Sequence, residues 1–329
     1  MTPSDGPAAM NDAARGIGFI LLGMLAISIN DMLIKLLSRG YPLHQMVFVR
    51  SCIGLCFSFL FLRLEGGLAL LRVDRPALHL LRGGLVVVAN MSLFAALAVL
   101  PLAEATALFF AAPLFITVLS IPLLGERVGR WRLGAVIAGF AGVLVMLRPW
   151  QGALDVPRVV LALPVLAALT YALMQLLTRK LGVTAKASAM AIYIQGTFLV
   201  VAGGFFLVAG DGRFAEGVEN ESLVFLLRAW VWPEGSDLWL FLALGGCSAV
   251  IGYSLSAAYR AADVATVAPF EYVALPLAVL WGWLVFGEWP SGPVWTGIAL
   301  IGGAGLFVFL RERQKKRPVA ARARVRRRY

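Results

Sequence analysis

Charge is what this chain lacks. Only 14% of its 329 residues are Asp, Glu, Lys or Arg, while 60% are hydrophobic. A water-soluble domain carries about 25% charged residues, so a soluble fold is excluded. Histidine and cysteine are scarcer still, at two and three residues. Cys52 and Cys56 lie four apart, Cys247 stands alone, and His44 and His79 fall near the ends of apolar runs. No CxxC or HExxH spacing occurs, so neither a metal site nor a cofactor is expected. Acidic DDxxD clusters, a nucleophile with its base and a nucleotide-binding P-loop are absent too. Catalysis at the membrane and direct ATP drive therefore lack their parts. A cleavable signal peptide is not expected either, because the first apolar run continues past the length of a signal core.

Acidic residues are outnumbered, 18 against 29 basic, for a net charge of +11. That excess does not imply a nucleic-acid partner. Ten of the basic residues crowd between Arg311 and Arg328, directly after an apolar run. Such a tail is a cytoplasmic anchor, drawn to anionic lipid head groups.

Long apolar runs are what the chain does have. They reach the roughly 20 residues that a helix needs to cross about 30 Å of hydrocarbon. Ten are predicted, over 16–38, 43–64, 77–99, 103–124, 131–148, 158–178, 187–209, 237–259, 265–286 and 292–310. The alternation of a barrel strand is missing, and a backbone in lipid must satisfy its own hydrogen bonds, so the fold is all-α integral membrane. With the N-terminus inside, 21 basic residues fall on the inner side and five on the outer, three more lying within spans. Both termini are therefore predicted cytoplasmic.

The chain also repeats itself. Pro101 to Pro149 resembles Ala262 to Arg311: Pro113 answers Pro276, Gly125–Glu126 answers Gly287–Glu288, and Gly134, Gly139 and Gly142 answer Gly297, Gly302 and Gly305. IKLLSR from Ile34 aligns with MQLLTR from Met174. Each half holds five spans, an odd number, so the second half enters the membrane from the opposite side. The expected architecture is an inverted 5+5 repeat, whose two mirror-related arrangements permit alternating access. The predicted parts are an N-terminal segment 1–15, a first module 16–148, a linker 149–157, a second module 158–310 and a basic tail 311–329. The second module carries an outer insertion near 210–236. Its SLVFLLRAWVW stretch, Ser222 to Trp232, reads either as a short interfacial helix or as a loop with incidental aromatics. The matched glycines suit close helix packing. Pro113 and Pro276 interrupt corresponding helices and are the hinge candidates. Glu126 and Glu288, at the ends of those helices, read as structural markers that satisfy nearby backbone or basic groups.

Polar residues inside the spans are the site candidates, since each mid-membrane charge costs about 2.5–3.5 kcal/mol and needs a wet cavity or a partner. They are Asn30, Asp31 and Lys35 in helix 1, Arg50 in helix 2, Arg82 and Asn90 in helix 3, Tyr171 and Gln175 in helix 6, and Glu271 and Tyr272 in helix 9. Asp31 and Lys35, four apart, share a helix face and could pair. Two alternatives stay open: these groups line a cavity for a charged or zwitterionic solute, or they form internal ion pairs that fix helix register. Across the repeat Asp31 maps onto Tyr171, Lys35 onto Gln175 and Arg50 approximately onto Gln195, so the lining is charged in the first half and neutral in the second.

The segment PLAEATALFF…PLF…LLGERV…GFAGVLVMLRP resembles the EamA module of the drug/metabolite transporter superfamily. A more divergent second copy carries GEW in place of GER. The resemblance spans about Gly16 to Leu310. It implies a secondary transporter of small organic metabolites in the bacterial inner membrane. The IND of helix 1 followed by Lys35 loosely resembles members that take up S-adenosylmethionine, and riboflavin carriers are a further comparison. Expected partners are a small-molecule solute, membrane lipids and a second copy of the chain. The competing classes are an integral-membrane enzyme and a receptor or scaffold, which would show no solute flux.

Overall fold

The structure, a computed structural model, describes residues 7–72, 76–125, 128–151, 156–181, 187–262 and 267–315. Expectations resting on Arg75, Glu126, Arg127, linker residues 152–155, Lys186 and the tail beyond 315 lie outside the described residues. Twelve α-helices form among them: α1 (Pro7–Leu37), α2 (Leu43–Glu65), α3 (Pro76–Leu97), α4 (Leu102–Phe109), α5 (Ala112–Leu124), α6 (Arg130–Leu147), α7 (Arg158–Leu181), α8 (Ala187–Ala209), α9 (Glu221–Leu227), α10 (Asp237–Ala261), α11 (Ala274–Phe286) and α12 (Gly292–Lys315). Ten helical stretches of 18 to 24 residues are long and apolar enough to cross a membrane. They coincide with the ten predicted runs to within a few residues.

Two of these spans are broken, and at matching places. The fourth is α4 followed by α5, with the break at Phe110–Ala111. The ninth opens as a 3-10 turn, Ala268–Val273, and becomes α-helical only at Ala274. The cause is local. Proline offers no N–H and its ring crowds the carbonyl four residues earlier. For Pro113 that residue is Phe109, the last of α4; for Pro276 it is Tyr272, inside the 3-10 turn. Both broken spans also stop alike. Gly125 and Gly287 take the left-handed conformation, at φ 69° and 68°, where a side chain would be strained. The Gly of each GE pair is thus a helix stop.

Helix pairing is matched across the halves. α1 packs on α10 as α7 packs on α3, and α11 leans on α1 as α4 and α5 lean on α7. Of the remaining large pairings, α2 with α8, α6 with α12 and α4 with α11 join spans that correspond to each other, and α2 with α10 is answered by α8 with α3. Exchanging the halves leaves this pattern unchanged. Where α6 crosses α12, a Cβ on Gly142 would lie 2.8 Å from Leu300 and 3.2 Å from the Gly297 carbonyl, and one on Gly297 would overlap Met146. Gly139 and Gly305 are equally crowded, by Leu114 and by Tyr272. Gly134, by contrast, faces open space, so not every repeated glycine marks a close approach.

The insertion does more than lie on a surface. Of the two readings the helical one holds for its central part, with Asn220 capping α9 through the Leu223 N–H at 3.2 Å. Yet Phe225 is only 1% exposed and belongs to the same core cluster as Leu97, Phe94 and Phe198. Ser222 donates to the Ala95 carbonyl of α3 at 2.7 Å, and Arg228 donates to the Arg39 carbonyl just beyond α1 at 2.7 Å. Gln45 of α2 exchanges two hydrogen bonds with the Val231 backbone, at 2.6 and 3.1 Å. Trp230 packs among His44, Phe48 and Phe206, while Trp232 stays 84% exposed. The segment therefore caps the bundle where α1 ends.

Candidate functional site

Arg50 organises the first group of candidates. It lies on α2 and is 7% exposed, with its guanidinium between two rings: Phe94 of α3 at 5.1 Å and Phe198 of α8 at 5.3 Å. Guanidinium is more weakly hydrated than an ammonium, and a desolvated cation–π contact is worth about 2 kcal/mol or more. Its Nη1 donates to Asn30 Oδ1 at 3.4 Å, and Asn30 Nδ2 donates to Asp31 Oδ1 at 3.0 Å. Asp31 and Arg50 attract each other across this chain. Four spans thus converge on one charged, aromatic-walled cluster. Neither phenylalanine stands out in the sequence. The signal that could have found them is physical: a buried guanidinium is favoured against aromatic faces.

A second group gathers at the two helix breaks. Tyr171 of α7 packs against Phe109 at 5.6 Å and accepts a hydrogen bond from Gln175 Nε2 at 2.9 Å. Tyr272 of the 3-10 turn packs against Phe110 at 5.2 Å. The Glu271 charge acts on both tyrosine hydroxyls. So Tyr171, Gln175, Glu271 and Tyr272 are brought together, and the broken spans supply the rings between them.

Three candidates stand apart. Lys35 is not paired with Asp31, although the two share a face. Its Nζ meets Glu288 Oε1 at 2.8 Å and donates to the Leu100 carbonyl. Glu288 Oε2 in turn accepts from the Leu102 N–H, at 3.0 Å, at the open start of α4. Glu288 thus serves the backbone and basic role expected of it. Arg82 is buried near His79, towards the opposite end of the bundle, rather than extended to the surface. Asn90 turns back on its own helix and donates to the Val86 carbonyl at 3.0 Å. Among the described residues no group of three or more His, Cys, Asp or Glu side chains could hold a metal ion.

Ten crossing helices around interior charged and aromatic groups define a multi-pass membrane protein of the small-solute transporter class. The EamA-like transporter family matches residues 14–148. A riboflavin transporter of Rhizobium johnstonii is 34% identical over 94% of this chain and 95% of its own length. One from Vibrio cholerae is 31% identical over 84% and 86%. An S-adenosylmethionine uptake transporter of Rickettsia felis is 27% identical over 93% and 97%. A crystal structure of a protein with 20% identity shares the fold at a TM-score of 0.60, covering 93% of this chain and 99% of that one. The chain belongs to the EamA-like transporter family. It is a small-metabolite transporter, not an enzyme.

Proposed function

We propose that this chain is a secondary carrier that moves a cofactor-type metabolite bearing a planar nitrogen heterocycle, by alternating access between two antiparallel five-helix units. The observation that carries the substrate class is the Arg50 guanidinium between Phe94 and Phe198, hydrogen-bonded onward to Asn30 and Asp31. Aromatic faces suit a flat ring, and the adjoining donors and acceptors suit its polar edge. Riboflavin and S-adenosylmethionine, the solutes named for the relatives, both contain such a ring. Riboflavin is the first candidate, on the 34% identity over nearly the full length of both chains. Asp31 and Glu271 add acidic groups that a cationic solute would use, which keeps S-adenosylmethionine as the second.

Three structural pairings support the inverted repeat: the breaks at Pro113 and Pro276, the left-handed stops at Gly125 and Gly287, and the helix contacts that survive exchange of the halves. The breaks are the hinge candidates, because a span without continuous hydrogen bonding bends at low cost. The excess of basic residues on one side supports a reading in which both termini are cytoplasmic and the tail meets anionic lipid of the bacterial inner membrane.

The test is uptake of labelled riboflavin and S-adenosylmethionine into proteoliposomes, with and without a pH gradient. Saturable uptake of one, reduced at least tenfold by Arg50→Ala, is expected. Flux of other metabolites with neither of these two would overturn the substrate class. No flux across a broad metabolite panel would overturn the carrier reading itself.

A further inference from the structure

We infer that Lys35 and Glu288 form an ionic latch that holds the outer side of the transporter shut and must open once in each transport cycle. The inference rests on the alternating-access reading above and assigns the gate at which one of its two states is closed.

The contact has the geometry of a latch between parts. Lys35 lies in the last turn of α1, a helix packed on α10. Glu288 follows the end of α11, and Leu100 and Leu102 flank the start of α4, which packs against α11 and α12. The Lys35 ammonium meets the Glu288 carboxylate at 2.8 Å and the Leu100 carbonyl, and the second carboxylate oxygen holds the Leu102 N–H at 3.0 Å. One ion pair therefore ties α1, α4 and α11 together. All three of these chain ends lie at the same face, the outer one if the N-terminus is inside. The insertion covers the neighbouring ends of α1, α2 and α3 on that face through Arg228, Gln45 and Phe225. The central Arg50 cluster lies deeper.

Burial suits a gate rather than a permanent bolt. The Lys35 side chain is 9% exposed and that of Glu288 27%. Shut, the pair sits at reduced dielectric and attracts strongly; parted, both groups meet water and are resolvated. A pair wholly inside the bundle would have no such way to open. The two halves also differ here. At the position matching Lys35, α7 carries Gln175, which bonds Tyr171 on its own helix. The ionic latch thus belongs to one side of the membrane.

The test reads accessibility rather than flux. Ser28 is 4% exposed and lies two turns deeper than Lys35 on the same face of α1, about 10 Å away. In a background with Cys52, Cys56 and Cys247 replaced, Ser28→Cys reports whether a membrane-impermeant thiol reagent added outside intact cells reaches the interior. We expect labelling to rise at least fivefold with Glu288→Gln or with Lys35→Gln. We expect the conservative variant Lys35→Arg, which keeps the charge and the donors, to label at the slow rate, and size-exclusion profiles matching the wild type to show that the neutral variants fold. Unchanged labelling in both single variants overturns the latch. So does a Lys35→Arg variant that labels as fast as the neutral ones. Proteoliposome flux measured in parallel separates the two claims: latch-dependent labelling without any flux defeats the carrier reading and leaves the latch standing.

Discussion

α1 and α7 hold corresponding places in the two halves, yet they carry different chemistry. α1 brings Asn30, Asp31 and Lys35, which reach out to α2, α4 and the end of α11. α7 brings Thr170, Tyr171 and Gln175, whose described hydrogen bonds stay on α7 itself. The scaffold that positions them is shared: each packs against the third helix of the other half and against a proline-broken span. The difference teaches how a duplicated fold acquires a task. Packing, breaks and stops recur in both halves. The polar residues do not recur: α1 carries Asp31 and Lys35 where α7 carries Tyr171 and Gln175.

The sharpest way to break this comparison is at Arg50 and its approximate counterpart, Gln195. Arg50→Ala removes the cation between Phe94 and Phe198 and leaves the half-buried Asp31 without it. Deleting one member of a buried charge cluster costs about 3–5 kcal/mol. The expected result is at least tenfold slower uptake and a clear drop in the melting temperature of the detergent-solubilised protein. Gln195 contributes a long hydrogen bond to Ser248, at 3.4 Å. Gln195→Ala should cost no more than about 1 kcal/mol and leave uptake within threefold. Equal losses at the two positions would remove the functional asymmetry between the halves.

The insertion has no counterpart in the first half, and its own two faces can be compared. Phe225 is buried in the core, so Phe225→Ala should destabilise by about 3–5 kcal/mol. Trp232 is 84% exposed, so Trp232→Ala should stay within about 0.5 kcal/mol. Thermal melts of both variants decide between a docked cap and a loop resting on lipid. In the second case Trp232 would matter more than Phe225.

These sites also mark what the sequence could and could not tell. Ten spans, the repeat and the matched prolines and glycines were legible because each is written in local composition or spacing. A proline four residues beyond Phe109 breaks a helix wherever that helix sits. Partnerships across the bundle were not legible. Asp31 and Lys35 share a helix face and look like a pair, but Lys35 finds a carboxylate at the far end of the chain and Asp31 finds Asn30. Spacing reports what can meet along one helix. It is silent on which neighbouring helix arrives first. Phe94 and Phe198 were invisible for the same reason: in an apolar chain, one phenylalanine reads like the next.

The α6–α12 crossing gives a smaller test of the repeat. Gly142→Leu must push into Leu300 and the Gly297 carbonyl. Overpacking of that kind costs about 1–3 kcal/mol. Gly134→Leu, about two helix turns away in open space, should melt with the wild type. If both substitutions were tolerated alike, the glycine rows would be remnants of duplication rather than packing devices.

The smallest expected effect separates what the halves share from what they do not. Gly125 and Gly287 end their helices at nearly the same φ, and a side chain in that conformation costs about 1–2 kcal/mol. Gly125→Ala and Gly287→Ala should therefore lower the melting temperature by similar amounts. Their effects on transport should differ. At Gly287 the helix stop also aims the next residue: the Glu288 N–H bonds the Gly282 carbonyl at 2.9 Å, and its carboxylate reaches Lys35 and the Leu102 N–H. A shift of this turn loosens the latch as well as the helix end. Gly287→Ala should thus raise the labelling of Ser28→Cys from outside, at a cost in stability matched by Gly125→Ala. Equal labelling in the two variants would mean that the turn sets helix length and nothing more.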